Sequence, residues 1–285
     1  MTADSQRELS GRTAVVTGSS SGIGRAIALE LAAAGANIVV HGRNNPAGAN
    51  ETADAVRKLG PEATVLRADL ADQTAQNAFA EAAWNWRGGV EIWVNNAGVD
   101  VLTGEAARWS FEQKLAALWK VDVTATMRLS RLIGPKMRAR NATSAIVNIG
   151  WDQAETGMAG DSGEMFAAVK GAVISFTRSL AYSLAPEVRV NCVSPGWIKT
   201  KWGDDASEYW HRRAVSESLR ERWGTPEDVA RAVRFLASPA ADFISGHVIP
   251  VNGGTRRSEA YPGSRGPGGA GATGGGAPTP DGRNF

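Results

Sequence analysis

The stretch TAVVTGSSSGIGRA, residues 13–26, decides the fold. Residues 13–17 read as a short buried strand, and the chain passes straight from it into three glycines, Gly18, Gly22 and Gly24, spaced G-x3-G-x-G. Glycines at such a turn let the backbone bend sharply and approach a pyrophosphate, whose charge the N-terminus of the following helix favours. A glycine pattern alone is a weak signal. Here it follows a strand, opens a helix and begins a βαβ unit, which is the context a dinucleotide site requires. Ser20, Ser21 and Ile23 ride on the same turn and belong to the expected cofactor contacts.

Strand-like and helix-like stretches alternate outward from that unit, the pattern of a parallel sheet covered on both faces. Strands are predicted at 13–17, 37–41, 63–67, 91–94, 144–149, 188–193 and 246–250, with helices near 22–35, 49–59, 72–86, 111–140, 163–185 and 226–237. Asp69 or Asp72 begins the Ala-rich third helix, and Thr225-Pro226 begins the last with proline at its first position. Residues 199–223 break the rhythm, and with Trp197 they carry Trp202, Trp210 and Trp223. Two readings stand open for this segment, a lid over an apolar substrate or a packed helical hairpin. Its Arg212, Arg213 and Arg220 are expected on a solvated face. From Ser258 to Phe285 the chain is rich in Gly and Pro with little to bury, which reads as a disordered tail. One folded domain is expected over 8–257.

Bulk properties narrow the function. The chain has 285 residues, of which 43% are hydrophobic, enough for a full-sized core. Its 31 basic and 29 acidic residues nearly balance, so the concentrated basic face that nucleic acid or an anionic membrane needs is not expected. The single cysteine, Cys192, excludes an intrachain disulfide and reads as a small core residue. Together with a first segment lacking the order of a signal peptide, and no apolar run of membrane-span length, this points to the cytoplasm. No metal site is read.

The second strand ends VVHGRN, placing Gly42 and Arg43 where NAD sites carry a carboxylate for the ribose hydroxyls. An arginine there matches a 2′-phosphate, so NADP(H) is expected over NAD(H); an ordinary surface arginine is the alternative.

Six motifs in register now carry a resemblance: TGSSSGIG at 17–24, ADL at 68–70, NNAG at 95–98, VKGAVISFTRSLA at 169–181, NCVSPGWIKT at 191–200 and ISGHVIPVNGG at 244–254. The chain resembles the short-chain dehydrogenase/reductase family over about residues 10–255, most of all the branch containing the 3-oxoacyl carrier-protein reductases. The resemblance implies a three-layer α/β Rossmann fold, a doubly wound parallel sheet of seven strands in the order 3-2-1-4-5-6-7. It also implies that Asp69 and Leu70 meet the adenine and that Asn95, Ala97 and Gly98 line the adenine ribose and stabilise the central strand. Pro195, Gly196, Ile198 and Thr200 would flank the nicotinamide, and Lys170 would hold its ribose. A homodimer or homotetramer is implied as well. The apolar residues Leu115, Leu118, Leu129, Ile174, Phe176 and Leu180 on the two long helices are expected to supply the interface.

The family's catalytic set is Asn, Ser, Tyr and Lys, with the Tyr one helical turn before the Lys. Lys170 matches. Four residues earlier stands Phe166, and none of the three tyrosines, Tyr182, Tyr209 and Tyr261, precedes a lysine by four. The serines after the fifth strand are replaced by Gly150 and Trp151, and the asparagine by Asp122. A positioned general acid is worth about 10²–10⁴ in rate and an oxyanion donor about 10²–10³, so both losses matter to chemistry and neither to cofactor binding. Ser162 is a possible substitute hydroxyl. The inserted loop brings Asp152, Glu155, Asp161 and Glu164 toward the expected pocket mouth, and Asp152 is the preferred replacement acid. The other reading makes these loop charges, with Asp161 or Ser162 capping the helix. Asp122 reads either as a partner of Lys170 or a water, or as a polar residue holding a helix irregularity.

Three functions follow as expectations: an oxidoreductase on an apolar or aromatic small molecule, a carbonyl or activated C=C compound, with a non-family proton donor; a cofactor-binding protein without turnover; or a dehydratase or isomerase using the loop carboxylates.

Overall fold

The computed structural model describes residues 7–140 and 142–255, Trp202 by its backbone only. The elements run β1 Thr13–Val16, α1 Gly22–Ala33, β2 Asn37–Gly42, α2 Pro46–Lys58, β3 Ala63–Arg67, α3 Gln73–Asn85, β4 Ile92–Asn95, α4 Phe111–Leu118, α5 Thr126–Ala139, β5 Ser144–Ile149, α6 Gln153–Thr156, α7 Asp161–Leu184, β6 Val188–Pro195, α8 Lys201–Asp204, α9 Glu208–Glu217, α10 Pro226–Ala237 and β7 Val248–Val251. The strands form one seven-stranded sheet in the order β3-β2-β1-β4-β5-β6-β7. Every pairing is parallel, and the register places Val16 beside both Val40 and Val94. This is the three-layer Rossmann architecture the sequence predicts. The expected tail from Ser258 lies outside the described residues.

The sheet is sandwiched because its central strands are apolar on both faces. One core layer packs Val16, Ile38 and Val94 against α1 and α10 through Ile27, Leu31, Val229 and Val233. The other packs Val15, Trp93 and Ile146 against α3, α5 and α7 through Phe79, Ile133 and Leu184. A third, smaller cluster of Val101, Leu118, Val123, Met165 and Val169 lies beneath the site described below. Leu118, Leu129, Ile174 and Leu180, expected at an interface, are instead buried within the chain, which corrects that expectation. No helix among the described residues is long and apolar enough to cross a membrane.

Element boundaries differ from the sequence reading where local chemistry decides them. Helix α2 begins three residues early because the Asn45 side chain accepts from the Gly48 N–H and Pro46 fills the first turn. At α3 the cap is Asp72, accepting from Thr74, and at α10 Thr225 and Asp228 form a reciprocal capping box. The last strand starts two residues late because Gly246, at φ +79°, is still in a turn. The predicted helix 111–140 contains a π-helical segment, Trp119–Ala125, between α4 and α5. Such widenings tend to sit at functional sites.

Candidate active site

Two recesses meet at the carboxyl ends of β1, β4, β5 and β6. The first is a groove of about 590 Å³ lined by Gly18, Ser20, Ser21, Ile23, Gly24, Arg43, Asp69, Leu70, Ala97, Gly98 and Thr200, all of them expected cofactor contacts, and by His41, Gly42, Asn44, Asn45 and Asn96. Gly22 opens α1 at φ +54° and faces Thr200, whose Cγ2 would lie 3.9 Å from a side chain added there. The α1 N-terminus has no side-chain cap and no acidic residue in its first turn, so its N–H groups and dipole remain available to an anion. Gly24 is a packing requirement, since a Cβ would come within 2.2 Å of the Gly18 carbonyl. Arg43 projects at the groove's far end and meets Asp69 at 3.6 Å with both side chains half exposed, a loose pairing that leaves the guanidinium free to turn. An open helix end, a glycine turn and a cation fit a nicotinamide dinucleotide.

Asn95 takes up the strand-stabilising half of its expected role and not the ribose-lining half. It is buried, accepting from Trp93 Nε1 and donating to Ser130 Oγ and Asn148 Oδ1 at 2.8–2.9 Å. That network ties β4 to α5 and β5. Asn95 therefore does not line the ribose; its neighbour Asn96 reaches the groove, donating to the carbonyls of Thr17 and Gly18.

His41, which the sequence reading passed over, shapes the glycine turn. Its Nδ1 accepts from the Gly18 N–H at 2.9 Å, which leaves Nε2 to donate to the Ala68 carbonyl at 3.2 Å. Only a neutral imidazole can do both. Burial enforces that state, depressing the pKa to about 4 against the opposing pull of the Ala68 carbonyl and Asp69.

The second recess, about 460 Å³, opens beside the first and shares Ile23 and Thr200 with it. Its walls are largely apolar: Leu102, Ile149, Trp151, Met158, Phe166, Trp197 and Trp210. Pro195, Gly196, Ile198 and Thr200 also line it, and Thr200 borders the groove as well. Helix α7 presents Ser162, Phe166 and Lys170 to this space, one turn apart, and the Phe166 ring meets Trp151 edge-on at 6.2 Å.

Lys170 Nζ forms an ion pair with Asp122 Oδ2 at 2.9 Å, both side chains largely buried, and lies 3.4 Å from the Ile149 carbonyl. Asp122 Oδ1 accepts from the Val99 N–H at 3.0 Å, and a Cβ on Gly98 would come within 2.7 Å of the carboxylate. Asp122 sits in the π-helical segment, so its two sequence readings describe one arrangement. The helix irregularity delivers the carboxylate to the lysine and to the groove wall.

The inserted loop does not supply an acid to this pocket. Asp152 turns behind Gly196, where its Oδ2 accepts from Asn252 Nδ2 at 3.1 Å and burial pushes its pKa above the ordinary carboxylate range. It is absent from the pocket lining, which corrects its assignment as replacement acid. Glu155 is exposed and pairs with Arg178, while Asp161 and Glu164 are exposed in the first turn of α7. The cap of α7 is Gly160 at φ +93°, not Asp161 or Ser162. Among the described residues, the one carboxylate on the lining is the exposed Asp205.

The Trp-rich segment is helical, and two of its tryptophans reach the pocket. It forms α8 and α9, and its Trp197 and Trp210 wall the pocket. Arg213, expected in solvent, instead stacks over Trp197 and Trp210 at 5.5 and 5.3 Å and pairs with Glu217.

Comparison with known proteins agrees with this geometry. Residues 18–256 match the protein-family model described as enoyl-(acyl carrier protein) reductase. A 3-oxoacyl-(acyl-carrier-protein) reductase of Aquifex aeolicus (strain VF5) is 35% identical over 251 residues, covering 87% of this chain and 98% of its own. Among solved structures, a 7α-hydroxysteroid dehydrogenase complexed with NADH and 7-oxo glycochenodeoxycholic acid superimposes with a TM-score of 0.80 at 30% identity, over 90% of this chain and 98% of that one. A 3-oxoacyl (acyl-carrier-protein) reductase from Agrobacterium tumefaciens C58 with NADP bound gives 0.79 at 30% identity, over 89% and 98%. The chain belongs to the short-chain dehydrogenase/reductase family, and the two solved relatives carry NADH and NADP.

Proposed function

We propose that this protein is an NADP(H)-dependent oxidoreductase acting on an apolar, ring-containing carbonyl or activated C=C compound, with Phe166 in the place of the family's tyrosine. The observation that carries the reading is the junction of the two recesses. An aromatic-walled pocket opens beside a dinucleotide groove across Ile23 and Thr200, with Lys170 at its floor.

The bound dinucleotide would supply or accept a hydride. Gly18, Ser20, Ser21 and the first N–H groups of α1 would hold its pyrophosphate, Arg43 its 2′-phosphate, and Asp69, Leu70, Ala97 and Gly98 its adenosine half. Lys170 would hold the other ribose, oriented by Asp122. The walls of Trp151, Phe166, Trp197 and Trp210 exclude water from the reacting atoms. Of the groups lining the pocket, the Lys170 ammonium and the Ser162 hydroxyl carry protons near Phe166. Neither is a carboxylic acid or phenol, which favours an acceptor whose reduced form is already stabilised, such as a conjugated C=C compound protonated from solvent. The exposed rings of Tyr182, Phe235 and Phe243 support a homo-oligomer.

A second reading, a cofactor-binding protein without turnover, draws on the same ring of Phe166, which can give neither proton nor hydrogen bond. Calorimetric titration with NADPH, followed by NADPH oxidation assays against neutral enones and aryl ketones, separates the two. Tight binding with enone-dependent oxidation supports the enzyme; tight binding with none across the panel supports the second reading.

A further inference from the structure

We infer that Glu217 is the positioning residue that sets the aromatic wall of the pocket, acting through Arg213 and Trp197. Helix α9 spans ten residues yet buries only Ala214, so apolar packing alone fixes its place weakly. Contacts from Arg213 and from Trp197 meet at one of its carboxylates. Glu217 Oε2 accepts from Trp197 Nε1 at 2.8 Å and Oε1 accepts from Arg213 Nε at 2.5 Å. Arg213 in turn lies over the rings of Trp197 and Trp210, whose centroids are 5.4 Å apart. One end of this set is Trp197, which follows the end of β6; the other is the sparsely buried helix that brings Trp210. Just beyond Glu217, the chain is anchored to the loop after β7, where Leu219 N donates to the Gly254 carbonyl at 3.0 Å. The carboxylate thus clamps α9 between two fixed points, and both tryptophans it controls line the pocket.

The geometry has a chemical consequence. The Arg213 guanidinium is paired with Glu217, as the Lys170 ammonium is with Asp122, and its planar face serves as backing for the rings. The site built this way selects uncharged, flat apolar ligands, and its shape depends on a group twenty residues from Trp197 in sequence. This rests on the reading of the pocket as the substrate site.

The test uses the full chain and the neutral fluorophore N-phenyl-1-naphthylamine as probe, with NADPH titrated in parallel and amide hydrogen exchange followed over residues 208–217. For Glu217→Ala and Arg213→Ala we expect the probe to bind roughly tenfold more weakly, as loss of a charge-assisted contact implies. Exchange in α9 should rise, and NADPH affinity should stay within about twofold. Glu217→Gln, which keeps an acceptor for Trp197 but not the charge facing Arg213, should fall between. The double alanine variant should be no worse than the poorer single one, because both remove the same contact. Unchanged probe affinity and unchanged α9 exchange in both single variants would overturn the proposal. Loosened α9 in the variants of a protein that does not bind the probe would support the clamp and sink the assignment of the pocket.

Discussion

Asp122 and Lys170 form a buried ion pair, 2.9 Å apart, that joins the π-helical segment to α7 directly below the aromatic pocket. The pair is held from a third side, because the same carboxylate accepts from the Val99 N–H at the edge of the cofactor groove. One side chain therefore couples the lysine, the groove wall and the helix irregularity.

Breaking that pair by removing one partner leaves an uncompensated buried charge. Asp122→Ala should destabilise the protein by about 3–5 kcal/mol in urea unfolding. Asp122→Asn keeps the acceptor for Val99 and should cost less. The double change of Asp122→Asn with Lys170→Met should recover part of the loss, a non-additivity that independent sites would not show.

Arg43 is expected to carry cofactor choice. Arg43→Ala should weaken NADPH binding by roughly 10- to 100-fold, the worth of a charge-assisted contact to phosphate, while NADH affinity moves less than about twofold. Parallel calorimetric titrations check this; equal losses for both cofactors would make Arg43 a structural residue.

His41 gives a pH dependence of stability with a definite sign. Its folded pKa, about 4, lies below the unfolded value of 6.5, so the unfolded chain binds the extra proton first. The stabilisation is fully present above pH 6.5 and is lost as pH falls toward 4, amounting to about 3 kcal/mol at the lower end. His41→Asn, whose Oδ1 can still accept from Gly18, should lack this component. The difference in unfolding free energy between the two proteins should therefore shift in the variant's favour between neutral pH and about pH 4.5. A constant difference across that range would contradict a neutral, buried His41.

The fold was readable because its signals are local and repeat. Strand and helix periodicity, the glycine turn at Gly18–Gly24 and the caps at Asp72 and Thr225 each act within a few residues. The groove residues Asp69, Leu70, Ala97, Gly98 and Thr200 come from the family resemblance, whose motifs fall at strand ends. What could not be read depends on side-chain direction across the sheet. Asp152 follows a strand end yet turns to Asn252, a hundred residues away, and Asn95 turns inward while Asn96 turns out. His41 lies in VVHGRN in plain view, but its role needs the Gly18 N–H to be brought alongside by β1–β2 pairing. The clamp at Glu217 is equally non-local. Asp122 was half readable: its sequence position marked it, and only the π-helical turn shows why one residue serves both expected purposes.

The most direct test of the reading is the rate of NADPH oxidation by the natural protein and by Phe166→Tyr, each offered a neutral enone and the corresponding saturated ketone. We expect the natural protein to oxidise NADPH with the enone and hardly at all with the ketone. The tyrosine, placed one turn from Lys170, should raise ketone reduction by about 10²-fold or more. Ketone reduction by the natural protein as fast as by Phe166→Tyr would show that a proton donor already stands in the pocket and would contradict the role given to Phe166.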